Sequence, residues 1–236
     1  VRVGPDVCGN EAHVWSEPVE FSTPKDVRCC TWKECPGGVP SNLQYTLNKE
    51  NPRIATKICG DCSRTIIGNA PLPQNKVTSW SVKILKSKKN DGDNIYIGVA
   101  PFDINQNEWY NCNNCWWYFH CFDSTLWSGS PHNYIDKGYG PKKEDGQYIH
   151  IGDSVEVVMD TTKGELSFVV GDVSLGVAYD GIPLDKPLVP CVILGWEGDS
   201  IELNISEEKE KVDSSIPIPS NITIKSITLD SITLSW

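Results

Sequence analysis

The chain has 236 residues, of which 39% are hydrophobic and 22% charged, a size that suits one large domain with additional segments. Its formal net charge of −10, with Lys and Arg scattered, excludes the clustered basic surface that phosphate-backbone binding relies on, so no nucleic-acid partner is expected. No apolar run approaches the ~18 residues of a membrane-spanning helix, and ten cysteines are many without reaching the density of a disulfide scaffold.

In chain order, residues 1–24 read as two strand-like stretches joined by a loop, with no charged-then-apolar leader after Val1. Residues 25–40, which carry Cys29, Cys30 and Cys35, read as a linker. Trp80, Val82 and Ile84 then alternate with Ser81 and Lys83, the pattern of a strand with one buried face. The basic run from Lys83 to Lys89, followed by Asp91 and Asp93, reads as a solvated strand end. Ile97-Gly98-Val99-Ala100 is a second strand. Residues 103–111 are too polar for a core segment yet hold Trp109 and Tyr110. In Cys115-Trp116-Trp117-Tyr118-Phe119 the two tryptophans are expected on alternate faces of a strand.

Residues 152–203 form the densest pattern. Val155, Val157 and Met159 alternate with Glu156 and Asp160, and Asp160-Thr161-Thr162-Lys163-Gly164 supplies a tight reversal. Leu166, Phe168 and Val170 give the next buried stripe. Gly171-Asp172 turns the chain, and Val173, Leu175 and Val177 are expected to answer from the partner strand. Gly195-Trp196-Glu197 precedes the last strand of this meander. Residues 207–218 are a charged linker, and residues 219–236 read as two strands with a turn near Leu229-Asp230, ending at Trp236. Nothing repeats with a helical period, so no helix beyond about two turns is expected.

Chemistry is sparse. The histidines His13, His120, His132 and His150 lie in no nucleophile-elbow or metalloprotease context, and the loop acids Asp180, Asp185, Glu197 and Asp199 beside glycines are turn formers. No active site is expected. Cys59-Gly60-Asp61-Cys62 and Cys112-Asn113-Asn114-Cys115 each have the shape of one zinc knuckle. Their wide separation favours ordinary thiols in a reducing compartment, and no cofactor is expected; only a fold that joined the two turns would make Cys59, Cys62, Cys112 and Cys115 a zinc site. Sequons at Asn204 and Asn221 matter only in a secreted protein.

The meander closely resembles the second half of a SPRY domain: a Gly-Asp before a strand ending in Asp, then Gly-x-Leu-Ser-Phe, then a turn and a Leu-Gly-x-Ala-aromatic strand. Thr78 to Ile84, Ile97 to Val99 and Cys115 to Phe119 resemble three further strands of that family. The resemblance implies an all-β fold over residues 41–206, an antiparallel β-sandwich of concanavalin-like jelly-roll type. Residues 1–24 resemble the end, and residues 219–236 the start, of a fibronectin type III domain. The chain therefore reads as a window on a longer protein, and Trp236 should be poorly buried for want of its sheet.

In peptide-binding SPRY domains three loops at one end of the sandwich form the contact surface. The resemblance carries these onto Asp93 and Asn94, onto Trp109 and Tyr110, and onto Gly195, Trp196 and Glu197, with Trp196 at the centre. It implies a non-enzymatic interaction module for a protein or peptide ligand, in a cytoplasmic fibronectin III/SPRY scaffold or adaptor. Two alternatives stand beside it: the substrate receptor of a tripartite-motif-like ubiquitin ligase, and an extracellular sandwich that stacks sugars on loop tryptophans.

Overall fold

The computed structural model describes residues 30–37, 44–60, 63–88, 94–106, 116–140 and 149–205, together with the strands Thr223–Ile227 and Ile232–Ser235. Among these residues there are strands and turns and no helix. In β4 (Val77–Lys86) the side chains of Trp80, Val82 and Ile84 are buried on one face while Ser79, Ser81 and Lys83 stay half-exposed. In β9 (Ser154–Asp160) and β10 (Glu165–Val170), Val155, Val157, Met159, Leu166 and Phe168 bury the same way. Alternation with period two is what a sheet needs to put one face on a core and the other in water.

The reversal between β9 and β10 follows its sequence. Asp160 Oδ1 accepts the Thr162 N–H at 2.8 Å, and the Gly164 N–H returns to the Asp160 carbonyl at 2.9 Å. Gly164 has φ +70°, and a Cβ there would lie 2.6 Å from the Ile182 carbonyl oxygen, so both conformation and space require glycine.

Two antiparallel sheets face each other. One has seven strands in the order β1-β2-β13-β4-β9-β10-β11, with β1 (Tyr45–Leu47), β2 (Ile54–Lys57), β11 (Val173–Tyr179) and β13 (Ser200–Ile205) completing it. The other has six in the order β3-β12-β5-β6-β7-β8: β3 (Arg64–Ile67), β5 (Ile95–Pro101), β6 (Trp117–His120), β7 (Thr125–Ser128), β8 (Lys137–Gly138) and β12 (Leu188–Leu194). The main core between them includes Trp80, Ile97, Trp117, Phe119, Phe168 and Val192. The outer face of the six-stranded sheet carries a second cluster with Tyr96, Trp116, Tyr118 and Cys191, against which half-buried Phe102 and Ile104 pack. Trp117 in β6 and Trp116 just before it thus take opposite faces, as their adjacent positions predict.

Two expectations are corrected. Cys30 to Cys35, expected as linker, dock into the sandwich: Cys30 and Trp32 are only 1% exposed. The Lys33 N–H donates to the Ile67 carbonyl at 2.8 Å and Trp32 forms an antiparallel bridge with Gly68, so this strap pairs with the free edge of β3. A buried Trp and an edge with unused hydrogen-bonding groups are reasons for a short polar stretch to order. In β11, Val173 and Val177 do not answer from the core; they are 56% and 55% exposed. Register shifts against β10 turn Ala178 and Tyr179 inward instead, on a strand that ends its sheet.

Residues 207–236 form a separate unit whose described part is a hairpin, β14 (Thr223–Ile227) paired antiparallel with β15 (Ile232–Ser235). The two expected strands are therefore present. Residues 1–24 and Trp236 lie outside the described residues.

Candidate functional site

β5 and β12 run antiparallel with Ile95 opposite Leu194, so the residue before one strand and the residue after the other share an end of the sandwich. There Asn94 (φ 62°) and buried Gly195 are packed so closely that a Cβ on Gly195 would overlap the Asn94 side chain. β13 pairs Ser200 with Lys86 at the end of β4, which brings Lys88 to the same rim. Its Nζ lies 5.4 Å from the ring centroid of half-buried Trp196, within cation–π range. Glu197 is exposed beside it.

Fully buried Asp199 fastens this loop. One carboxylate oxygen accepts the Trp196 N–H at 2.9 Å and the other the Lys88 N–H at 3.0 Å. The Asp199 carbonyl takes the Lys57 N–H at 2.9 Å, and the Gly198 N–H returns to the Lys57 carbonyl at 2.9 Å. Asp199 is a turn former, as its place after a glycine predicts. Its hold on Lys88, 111 residues away, has no local signal in the sequence.

The loop after β5 leaves from Pro101, at the opposite end of the sheet from Ile95. It turns back through the Ile104 N–H to the Pro101 carbonyl at 3.1 Å and lays Phe102 and Ile104 over the outer cluster. Gln106 then reaches β3. Its carbonyl accepts from Arg64 Nη1, and its Nε2 donates to the Thr65 carbonyl at 3.4 Å and to Tyr45 Oη at 3.5 Å. Arg64 pairs with Leu194, so Gln106 ties this loop back to the rung next to Gly195.

Of the residues expected to form the contact surface, the structure brings together Asn94, Gly195, Trp196 and Glu197; Asp93, Trp109 and Tyr110 lie outside the described residues. Sequence reasoning missed Lys88, Gln106 and Arg64. Arg64 was hidden because a charged residue opening an apolar strand reads as a solvated end.

Among the described residues no three His, Cys, Asp or Glu side chains cluster as a metal site; Cys62, Cys112 and Cys115 of the zinc alternative lie outside them. His120 stacks on Tyr96 at 4.3 Å and meets Asp123 through Nδ1 at 2.9 Å. Burial pushes the Asp123 carboxyl up, but hydrogen bonds from His120 and Thr125 outweigh it and hold the group down to about 2. No helix among the described residues is long and apolar enough to cross a membrane.

Comparison with known proteins agrees with this architecture. Among solved structures, a human SPRY domain matches with TM-score 0.51 at 14% identity, over 70% of this chain and 96% of that one. The SPRY domain of human HERC1 matches with TM-score 0.49 at 16% identity (71% and 97% covered), and the TRIM65 PSpry domain with 0.47 at 12% (75% and 92%). No curated protein sequence matches the chain. The SPRY domain family model matches residues 77–208, from the first residue of β4 to beyond the end of β13. With more than half its length accounted for by that match, and both sheets in place, the chain belongs to the SPRY domain family.

Proposed function

We propose that this SPRY domain is a non-enzymatic module that recognises a protein or peptide partner through the rim built by Asn94, Gly195, Trp196 and Glu197, with Asp93, Trp109 and Tyr110 contributing from the adjoining loops. SPRY domains are in general protein-interaction modules. The observation that carries the reading is the close packing of Asn94 against Gly195, which puts two loops from distant parts of the sequence into one surface. A half-buried Trp fixed by Asp199 supplies apolar area at little ordering cost, and Asn94, Lys88 and Glu197 supply polar contacts around it. The resemblance of residues 1–24 and 219–236 to fibronectin type III sequence supports a role in a cytoplasmic scaffold or adaptor.

The test is affinity capture with the full chain, quantified by mass spectrometry, comparing wild type with Trp196→Ala, Gly195→Val and Val177→Ser. The first two change the rim and the third an exposed residue of β11. A common set of proteins lost with both rim variants and kept with Val177→Ser supports the assignment. Retention of every captured protein by both rim variants sinks it.

A further inference from the structure

Arg64 is only 1% exposed, yet no carboxylate among the described residues pairs with it. Nη1 donates to the Gln106 carbonyl and the guanidinium lies 5.9 Å from the Tyr45 ring centroid. Nε and Nη2 are buried without an acceptor. A buried cation left this incomplete is costly and calls for an electron-rich neighbour. The neighbour present is Cys35, whose sulfur is near enough to act electrostatically on the guanidinium. Cys35 ends the strap that pairs with β3 and is a half-buried free thiol at the margin of the core.

Of the other four free thiols described, Cys59 is half-buried like Cys35 and three differ from it in kind. Cys30, Cys121 and Cys191 are buried, and desolvation pushes all three up, Cys191 to about 12, which makes them poor nucleophiles. Cys35, unlike these three, combines access to solvent with an adjacent buried cation.

We propose that Cys35 is a modification site, where the thiol exchanges with a small-molecule disulfide such as oxidised glutathione and the adduct opens the Arg64–Gln106 latch that ties down the β5–β6 loop. In the exchange the Cys35 thiol gives its proton to solvent and its sulfur attacks one sulfur of the disulfide. A new S–S bond forms to Cys35, the old one breaks, and one glutathione leaves as thiolate. Cys35 is oxidised and the departing half is reduced, so no further reagent is needed. Negative charge is shared over the sulfurs during this step, and the spare donors of Arg64 stabilise it. In this proposal the tripeptide on Cys35 competes for the space in which Arg64 meets Tyr45 and Gln106, and the hydrogen bonds that anchor Gln106 are given up.

The experiment uses the full reduced chain, incubated with oxidised glutathione and followed by site-resolved mass spectrometry, with amide hydrogen exchange on the product. Cys35 should acquire its adduct about tenfold faster than half-buried Cys59. Arg64→Lys should keep part of this advantage and Arg64→Met abolish it. Exchange at residues 102–106 should rise in the adduct while β4 and β9 stay protected. If Arg64→Met does not fold, Cys35→Ser decides: the same treatment should leave exchange at residues 102–106 unchanged. Equal rates at Cys35 and Cys59, an Arg64→Met chain that reacts as fast as wild type at Cys35, or a rise at 102–106 in Cys35→Ser overturns the proposal.

Discussion

Asp199 holds Trp196 by its backbone rather than its ring: the carboxylate accepts the Trp196 N–H at 2.9 Å, and its second oxygen reaches the Lys88 N–H at 3.0 Å. One buried side chain therefore fixes both the loop before β13 and the end of β4. Asp199→Ala leaves two N–H groups without their charged acceptor, and loss of such buried bonds costs about 2–4 kcal/mol. Asp199→Asn, which keeps one acceptor oxygen, should cost less. Urea denaturation of the three chains measures both, and equal stability of wild type and the Ala variant would show that the clamp is energetically idle.

Trp196 itself belongs to neither core cluster and is half-buried. Trp196→Ala should therefore move the melting temperature little. It should lower affinity for a captured partner by about 2 kcal/mol, the loss that a central aromatic anchor gives. Calorimetry with that partner reads the affinity and a thermal scan reads the stability. A large fall in melting temperature would assign the ring to the scaffold instead.

Trp32 makes the opposite case. It is fully buried in the main core although it precedes β1 and lies well before residue 77, where the family match starts. Trp32→Ala should cost about 3–5 kcal/mol, as truncation of a large buried ring does. A chain that begins at residue 41 should unfold at a clearly lower urea concentration than one that begins at residue 30. Matching midpoints for the two would remove the strap from the sandwich.

Regular alternation is why the centre of the fold was legible. Val155, Val157 and Met159, or Trp80, Val82 and Ile84, announce their buried face because a strand has only two sides. The same rule misread β11: its register shifts against β10 break the alternation, and nothing in Val173, Leu175 and Val177 signals a shift set by pairing. The strap escaped because a few residues around Trp32 have no period to read. At the site, Gly195-Trp196-Glu197 stood out by composition. Lys88, Gln106 and Arg64 did not, since their roles come from contacts across 41 to 111 residues of chain.

Asp123 gives a prediction in pH. Its carboxyl is held down to about 2 in the folded chain, against about 3.9 when unfolded. A depressed carboxyl contributes stability that is fully present above the unfolded value and disappears as pH falls through the folded one. The window is therefore about pH 4 down to about pH 2. A shift near two units corresponds to roughly 2.6 kcal/mol, and with the side chain 27% exposed solvent screening reduces this to about 1 kcal/mol. The partners are the His120 ring at 2.9 Å and the Thr125 hydroxyl at 2.7 Å. Asp123→Asn removes the titrating group, so its stability should lie about 1 kcal/mol below wild type at pH 7 and converge on it by about pH 2. Urea denaturation across that range provides the measurement. Curves that stay parallel from pH 5 to pH 2 would mean that the carboxylate does not store folding energy in its contact with His120.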